Sequence, residues 1–303
     1  MQIASFAVLT ERQRQQFFEA IRARGLSAAF ADEAEMEHHL LGPAFEAGRT
    51  YLTLWEGEAL AGAVGVVVRE IAVKREAFLT LLYVFTTEAE SVLVRLLQAA
   101  YIVIGGSPGV DAETVVKIGV SERDSHLQRP LERAGWRTAY RVLDMARPVE
   151  GALSSGAALH FAPLTAENEM DFLTVANAAF LGSPNGAQLV PEQVEEMRRE
   201  ARSAQFLQVG YADGQPAAVL EVDIRDEVGQ IQTVGVAPAF QGRGLGRATV
   251  ARTLQVLAEG GARQAHLQVV DANASAVALY KACGFVVDRV VSTWYYGPGL
   301  AVC

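Results

Sequence analysis

Two stretches of this chain, 149 residues apart, carry the same run of residue types, and this repeat limits the possible folds more than any other feature. One runs from Lys117-Ile118-Gly119-Val120 through Leu131-Glu132-Arg133-Ala134-Gly135-Trp136, the other from His266-Leu267-Gln268-Val269 through Tyr280-Lys281-Ala282-Cys283-Gly284-Phe285. Each is an apolar strand, a helical segment, a glycine and an aromatic residue that opens a new strand. A glycine closing a helix is common, because it suits the left-handed residue at the helix end. The order of elements around the match carries more weight.

Apolar periodicity and turn residues predict that order. The first half reads as strand 2–9, helices near 11–23 and 32–41, strands 50–55 and 59–68 around Glu56-Gly57, strand 78–85, helix 88–101, strand 114–120, helix 125–134 and a strand from Trp136. The second half reads as strand 159–162, helices 166–179 and 191–203, strands 206–212 and 217–224 around Asp213-Gly214, and strand 230–236. A glycine-rich loop follows, then a helix to Ala258, strand 264–270, helix 275–283 and a closing pair of strands to Tyr296. The two orders agree, so the chain reads as two copies of one α+β plan, each a mixed, mostly antiparallel sheet flanked by helices. At 303 residues each copy is long enough to bury its own core. Pro148, Gly151, Ser154, Ser155 and Gly156 mark a linker, giving domains 1–147 and 157–303.

The balance of 26 Lys and Arg against 35 Asp and Glu, a net charge of −9, argues against a nucleic-acid partner. The start of the chain has no basic segment followed by an apolar core, and nowhere do about 18 apolar residues run together. A cytoplasmic location without membrane contact is the expectation. Cys283 and Cys303 form no C-x-x-C pair, and His38, His39, His126, His160 and His266 are scattered, so neither a disulfide framework nor a metal site is expected.

The most informative stretch is Thr233-Val234-Gly235-Val236-Ala237-Pro238-Ala239-Phe240-Gln241-Gly242-Arg243-Gly244-Leu245-Gly246-Arg247. Three alternating glycines stand where a strand hands over to a helix. Amides freed of Cβ atoms at a helix N-terminus form an anion site suited to a phosphate or pyrophosphate. No Asp or Glu occurs from Val228 to Ala258, whereas Arg243, Arg247 and Arg252 do. A Walker loop needs Lys and Ser or Thr after the glycines, and Arg247-Ala248 does not supply them. A dinucleotide fold finds a ribose-binding acid in Asp271, but its third glycine position is filled by Arg247.

Val236, Pro238 and Gln241-Gly242-Arg243-Gly244-Leu245-Gly246 resemble the acetyl-CoA signature of the GNAT N-acetyltransferase superfamily. Downstream, Asn273, Ala276, Tyr280 and Gly284-Phe285 resemble the second signature of that superfamily, in the same order. The resemblance implies that the 241–246 amides, with Arg243, Leu245 and Arg247 in the same loop, hold the CoA pyrophosphate. It implies that Val234 and Val236 pair with the pantetheine arm, with the Val236 amide near the thioester oxygen. Asn273 and Ala276 would contact the pantetheine, and Tyr280 would protonate the departing thiolate. Acetyl-CoA is then the acyl donor, without a metal, and the acceptor a primary amine of a small molecule or peptide, in a direct ternary complex.

A neutral amine must be aligned on the thioester, so a proton acceptor is needed. Strand alternation places Glu221, Asp223 and Arg225 on one face and Leu220, Val222 and Ile224 on the other. Glu221 and Asp223 are the candidates, each with the alternative of a solvated face partnered by Arg225. Superfamily members often carry an acid on the strand before the loop; here it reads Gln230-Ile231-Gln232-Thr233-Val234. Trp294-Tyr295-Tyr296 line either the acceptor pocket or a core.

In the first half the repeat sets Val92–Leu97 opposite Gln241–Gly246, Asp124 opposite Asn273 and Leu131 opposite Tyr280. A helix without glycine and a missing acid predict a degenerate copy, as in the tandem-GNAT arrangement of mycothiol-synthase-like proteins. The chain would act as a monomer or homodimer. Two other readings compete: a catalytically silent acyl-CoA-binding or regulatory module, and a nucleotide-dependent oxidoreductase.

Overall fold

The structure, a computed structural model, describes residues 1–25, 30, 32–151, 153, 158–181, 183–184, 188–201, 203 and 206–299. The Ser154-Ser155-Gly156 part of the expected linker, the expected domain start at residue 157, and Cys303 lie outside the described residues.

In chain order the elements are β1 (Gln2–Ser5), α1 (Glu11–Arg24), α2 (Glu33–Leu40), β2 (Tyr51–Glu56), β3 (Ala59–Val67), α3 (Ile71–Lys74), β4 (Glu76–Val84), α4 (Ala89–Gly105), β5 (Val115–Ser121), α5 (Gln128–Arg133) and β6 (Arg137–Pro148). The second half gives β7 (His160–Pro163), α6 (Glu169–Phe180), α7 (Pro191–Glu200), β8 (Leu207–Ala212), β9 (Gln215–Arg225), β10 (Val228–Val236), α8 (Leu245–Glu259), β11 (Gln264–Val270), α9 (Ala274–Ala282) and β12 (Val286–Tyr296). The closing pair of strands expected after α9 is thus one strand, and the end of strand 2–9 is a 3-10 turn over Phe6–Val8.

Two compact units form: residues 1–140 with 292–303, and residues 141–291. In the first, β1 to β5 lie in sequence order, and residues 292–296 of β12 pair antiparallel with β5. In the second, β7 to β11 repeat that order, and β6 pairs antiparallel with β11 from Val142 to Pro148. Among the described residues one parallel pair in each unit, β4 with β5 and β10 with β11, breaks the antiparallel pattern. The sixth strand of each sheet comes from the other half of the sequence. The units therefore cut the chain elsewhere than 147/157.

The shared helix ending has one backbone cause. Gly135 after α5 and Gly284 after α9 both have φ +86°, a left-handed conformation that costs a side-chain-bearing residue about 1–2 kcal/mol. Each is followed by a buried aromatic, Trp136 or Phe285, that opens the next strand.

In the first unit α4 is unbroken across Val92–Leu97, and Val92, Leu93 and Leu96 are fully buried in a core with Leu79, Val116 and Ile118. Amides locked into helix bonds cannot cradle an anion. Leu131 is buried in the same core. In the second unit the two sheet faces carry separate cores. Val222, Ile231 and Leu267 meet Val250 and Leu254 of α8 together with Tyr280 and Phe285, while Leu207, Val209 and Val219 meet Phe172 and Val175 of α6 and Val194 of α7.

Candidate active site

The site begins at a strand edge that loses its partner. β10 and β11 pair in parallel from Val228↔Gln264 to Ile231↔Leu267, and among the described residues the pairing goes no further, although both strands continue. On its other side β10 stays paired with β9 as far as Val236↔Ala218. The Ala237 N–H donates to the Ala217 carbonyl at 2.9 Å. Backbone groups alternate in direction along an antiparallel ladder, so Gly235 and Ala237 point their polar groups at β9 while Val234 and Val236 point theirs at the open edge. The Val236 carbonyl accepts a hydrogen bond from Gln241 Nε2 at 3.0 Å. Among the described residues its N–H and both groups of Val234 have no hydrogen-bond partner, which leaves them for one that supplies its own strand-like donors and acceptors.

The edge leads into the glycine loop. Gly242 (φ +76°) and Gly244 (φ +78°) are left-handed, and Gly244 is the N-cap of α8. Among the described residues no side chain caps α8 and its first turn has no acidic residue, so the helix presents its positive end, with the amides of Leu245 and Gly246 in its first turn. Gly246 lies close under α9, where an added Cβ would sit 3.0 Å from Leu279 Cδ2. Leu245 is buried and anchors the turn. The arginines are less free than their sequence suggests: Arg243 Nη2 bonds Asp213 Oδ2 at 2.9 Å while its guanidinium lies 5.5 Å over the Phe240 ring, and Arg247 donates to the Ala282 carbonyl at 3.2 Å. An uncapped helix end beside an open strand edge fits a diphosphate joined to a hydrogen-bonding arm.

The Asn273 side chain is the N-cap of α9: its Oδ1 accepts from the Ala276 N–H at 3.1 Å and from Ser275 Oγ at 3.0 Å. No hydrogen bond from its amide nitrogen occurs among the described residues. Seven residues on, Tyr280 points into the core, 9% exposed, with its ring edge-on to Phe285 at 5.9 Å. Burial pushes its phenol up to about 12, so it keeps its proton at neutral pH. Cys283 is buried, its thiol is raised by desolvation, and its carbonyl accepts from Arg147; it is structural.

On β9 the expected alternation holds, with Val222 and Ile224 on the α8 side and Glu221 and Asp223 opposite. The two acids differ. Asp223 Oδ2 takes a hydrogen bond from Arg225 Nε at 2.8 Å, which is the alternative partnership weighed for it. Glu221 Oε2 accepts from Thr233 Oγ1 at 2.8 Å, and burial raises its carboxyl above the ordinary value against the opposing effect of that bond, with Asp223 adding to the rise.

Four participants escaped the sequence reading. Thr233 holds Glu221. Ala179 and Phe180, at the end of α6, cover Gly235, whose added Cβ would lie 3.0 Å and 3.2 Å from them. Asp213, in the β8–β9 turn, ties down Arg243. Only the Asp213-Gly214 turn left a local signal. Trp294 and Tyr295 belong to the first unit: Trp294 stacks on Tyr140 at 5.9 Å and Tyr295 is core. Among the described residues no group of three His, Cys, Asp or Glu side chains gathers as a metal site would require, and no helix is long and apolar enough to cross a membrane.

Residues 175–285 match the model of the acetyltransferase (GNAT) family. Among curated proteins, the mycothiol acetyltransferase of Beutenbergia cavernae is 33% identical over 164 residues, covering 53% of this chain and 54% of that protein. The mycothiol acetyltransferase of Corynebacterium kroppenstedtii is 41% identical over 70 residues, covering 23% of this chain and 19% of that protein. The chain therefore spans about half or less of the relatives it matches. Two solved structures share the fold over nearly the whole chain. A GCN5-related N-acetyltransferase from Sphaerobacter thermophilus has a TM-score of 0.70 at 17% identity, covering 98% of this chain and 96% of that one. A tandem GNAT protein of the clavulanic acid pathway has a TM-score of 0.64 at 13% identity, covering 98% and 99%.

Proposed function

We propose that this chain, whose residues 175–285 match the model of the acetyltransferase (GNAT) family, transfers an acetyl group from acetyl-CoA to the primary amine of a small molecule or peptide within one ternary complex. The observation that carries the reading is the open edge at Val234 and Val236 running into the uncapped N-terminus of α8. Of the duplicated halves, 1–147 and 157–303, the second is the proposed active one, with residues 142–148 completing its sheet.

Acetyl-CoA supplies an acyl carbon activated as a thioester. The amides of the 241–246 loop, with Arg243 and Arg247 beside them, would hold its diphosphate, and Val234, Val236, Asn273 and Ala276 would hold its arm. Val234 lies farther along the strand from the loop than Val236, by about 7 Å at strand rise. Its N–H, in place of the Val236 amide that the family resemblance implies, is therefore the donor we assign to the thioester oxygen, where negative charge develops.

Glu221 takes the proton that the amine loses as its nitrogen bonds the acyl carbon, directly or through a water. The raised carboxyl makes Glu221 a better match to this task than an ordinary glutamate. Tyr280 donates its phenolic proton to the sulfur as the carbon–sulfur bond breaks. Products are an amide and free CoA thiol, and the protons balance once Glu221 returns its own through solvent to Tyr280.

The test follows free thiol from acetyl-CoA across a library of primary amines. Thiol release that needs both an amine and an intact glycine loop is the expected result. CoA binding without release for any amine would leave a silent binding module, and NAD binding in place of CoA would favour the oxidoreductase.

A further inference from the structure

The first unit contains the counterpart of the donor edge, and there it is already filled. β4 repeats the build of β10. Among the described residues its parallel pairing with β5 runs from Glu76↔Val115 to Leu79↔Ile118 and no further. Its register with β3 then shifts between Thr80 and Tyr83, with Leu81 in the left-handed region at φ +47°. The Phe85 N–H donates to the Ala61 carbonyl at 2.9 Å, as Ala237 does to Ala217. By the same alternation the Val84 carbonyl faces the open side, as the Val236 carbonyl does.

What meets Val84 is the last residue of α1. Arg24 Nη1 donates to the Val84 carbonyl at 2.5 Å. The same guanidinium forms an ion pair with Asp124, whose side chain is 8% exposed. It also lies 5.9 Å from the ring centres of both Tyr83 and Phe85. Asp124 is the residue that the repeat sets opposite Asn273, the cap of α9.

We infer that the first unit holds a guanidinium-binding site, built on its copy of the donor edge and occupied by Arg24 of the same chain. A carbonyl, a buried carboxylate and two ring faces all select a planar cation. The same groups disfavour an acyl-CoA arm, which would have to evict Arg24 and leave Asp124 buried beside a chain of diphosphate charge. The chain then binds one acyl-CoA. That count rests on the donor site proposed for the second unit; the guanidinium site does not.

Two measurements on the full chain test this. Arg24→Ala is expected to melt several degrees below the parent, and n-propylguanidinium at millimolar concentration is expected to restore most of the loss, whereas n-propylammonium does not and the parent responds to neither. Equal effects of the two cations, or none, would overturn the site. If Arg24→Ala is recovered only as aggregate, refolding with propylguanidinium alone supports it and failure with both cations overturns it. Calorimetric titration of the parent with CoA should give one site per chain. Two sites would mean that the first unit is open and the inference wrong. No site would overturn the donor reading of the second unit and the count with it, and the melting experiment alone would then decide the guanidinium site.

Discussion

Glu221 and Thr233 meet across a strand irregularity: Thr233 Oγ1 donates to Glu221 Oε2 at 2.8 Å, immediately after Gln232 enters β10 as an extra residue. Were the pairing regular, Gln232 would face Glu221 and every later side chain of β10 would change sides. Glu221→Gln keeps the Thr233 contact and removes the base, and kcat should fall about 10²- to 10⁴-fold. Burial raises the carboxyl, so the ionised base appears only as pH rises through that raised value, and the acid limb of the rate profile should lie above an ordinary carboxylate. The linked stability has the opposite sign. A raised folded value gives stability that is complete below the unfolded value and lost as pH rises through the folded one. Glu221→Gln should therefore melt higher than the parent by a margin that grows from pH 4 to pH 8. Asp223→Asn, at a carboxylate held by Arg225, should leave the rate profile in place; an acid limb that survives Glu221→Gln would remove Glu221 from the mechanism.

Tyr280→Phe removes one hydroxyl from a ring that packs against Phe285. The thiolate then leaves without its acid, and kcat should drop about 10²-fold or more at unchanged CoA affinity. Because the phenol is pushed up to about 12, the parent should show no alkaline fall in rate near pH 10, where an ordinary tyrosine would ionise. Stopped-flow rates between pH 8 and pH 10.5 check both points, and a fall centred near pH 10 would count against Tyr280 as the acid.

The parts of this site that were legible in the sequence are those encoded by neighbours along the chain. The glycine loop at 241–246 and the Asn273, Tyr280 and Gly284 spacing on one short helix declare themselves because local backbone needs fix them. The face of Glu221 was legible by alternation along β9. The bulge at Gln232 was not, since one inserted residue in a polar strand leaves no mark in the pattern. Nor was the exchange of final strands, because the pairing of Val142–Pro148 with β11 is decided by which sheet edge is open. Arg243 looked like a free cation until the fold brought Asp213 beside it.

Gly244 holds φ +78° at the N-cap of α8. A valine there costs about 1–2 kcal/mol in backbone strain and puts a side chain among the amides that would face the diphosphate. CoA affinity should fall at least about 10-fold, with a modest loss of melting temperature. Gly261→Val is the control, since Gly261 also has a positive φ (+87°) and open space around it. It should lose similar stability and keep CoA affinity. Equal affinity losses in the two variants would mean that strain, and not the loop, governs binding.

A fragment of residues 157–303 lacks the strand that pairs with β11 from Val142 to Pro148, including the fully buried Met145. It should expose an apolar sheet edge and aggregate. A fragment of residues 141–291 keeps that strand and should stay soluble with a cooperative thermal transition. Size-exclusion chromatography and circular-dichroism melting of the two would decide, and a stable, monomeric 157–303 would show that the exchanged strand is dispensable.

Lys117 of the first unit is 2% exposed, with Nζ 2.5 Å from Glu76 Oε1 and between 5.4 Å and 5.8 Å from the ring centres of Phe78, Tyr140 and Tyr296. Tyr140 is raised chiefly by burial and also by Glu76 and Tyr296, which keeps that ring neutral beside the ion pair. Removing one member of a buried pair strands the other charge at a cost of about 3–5 kcal/mol, whereas an apolar replacement of the cation removes the desolvation penalty together with the attraction. Glu76→Gln should therefore destabilise the chain by about that amount, and Lys117→Met by much less, since methionine follows the lysine stem among the rings. Urea unfolding with unchanged m-values would measure both. The reverse order would mean that the three rings, and not Glu76, are the main partners of the Lys117 charge.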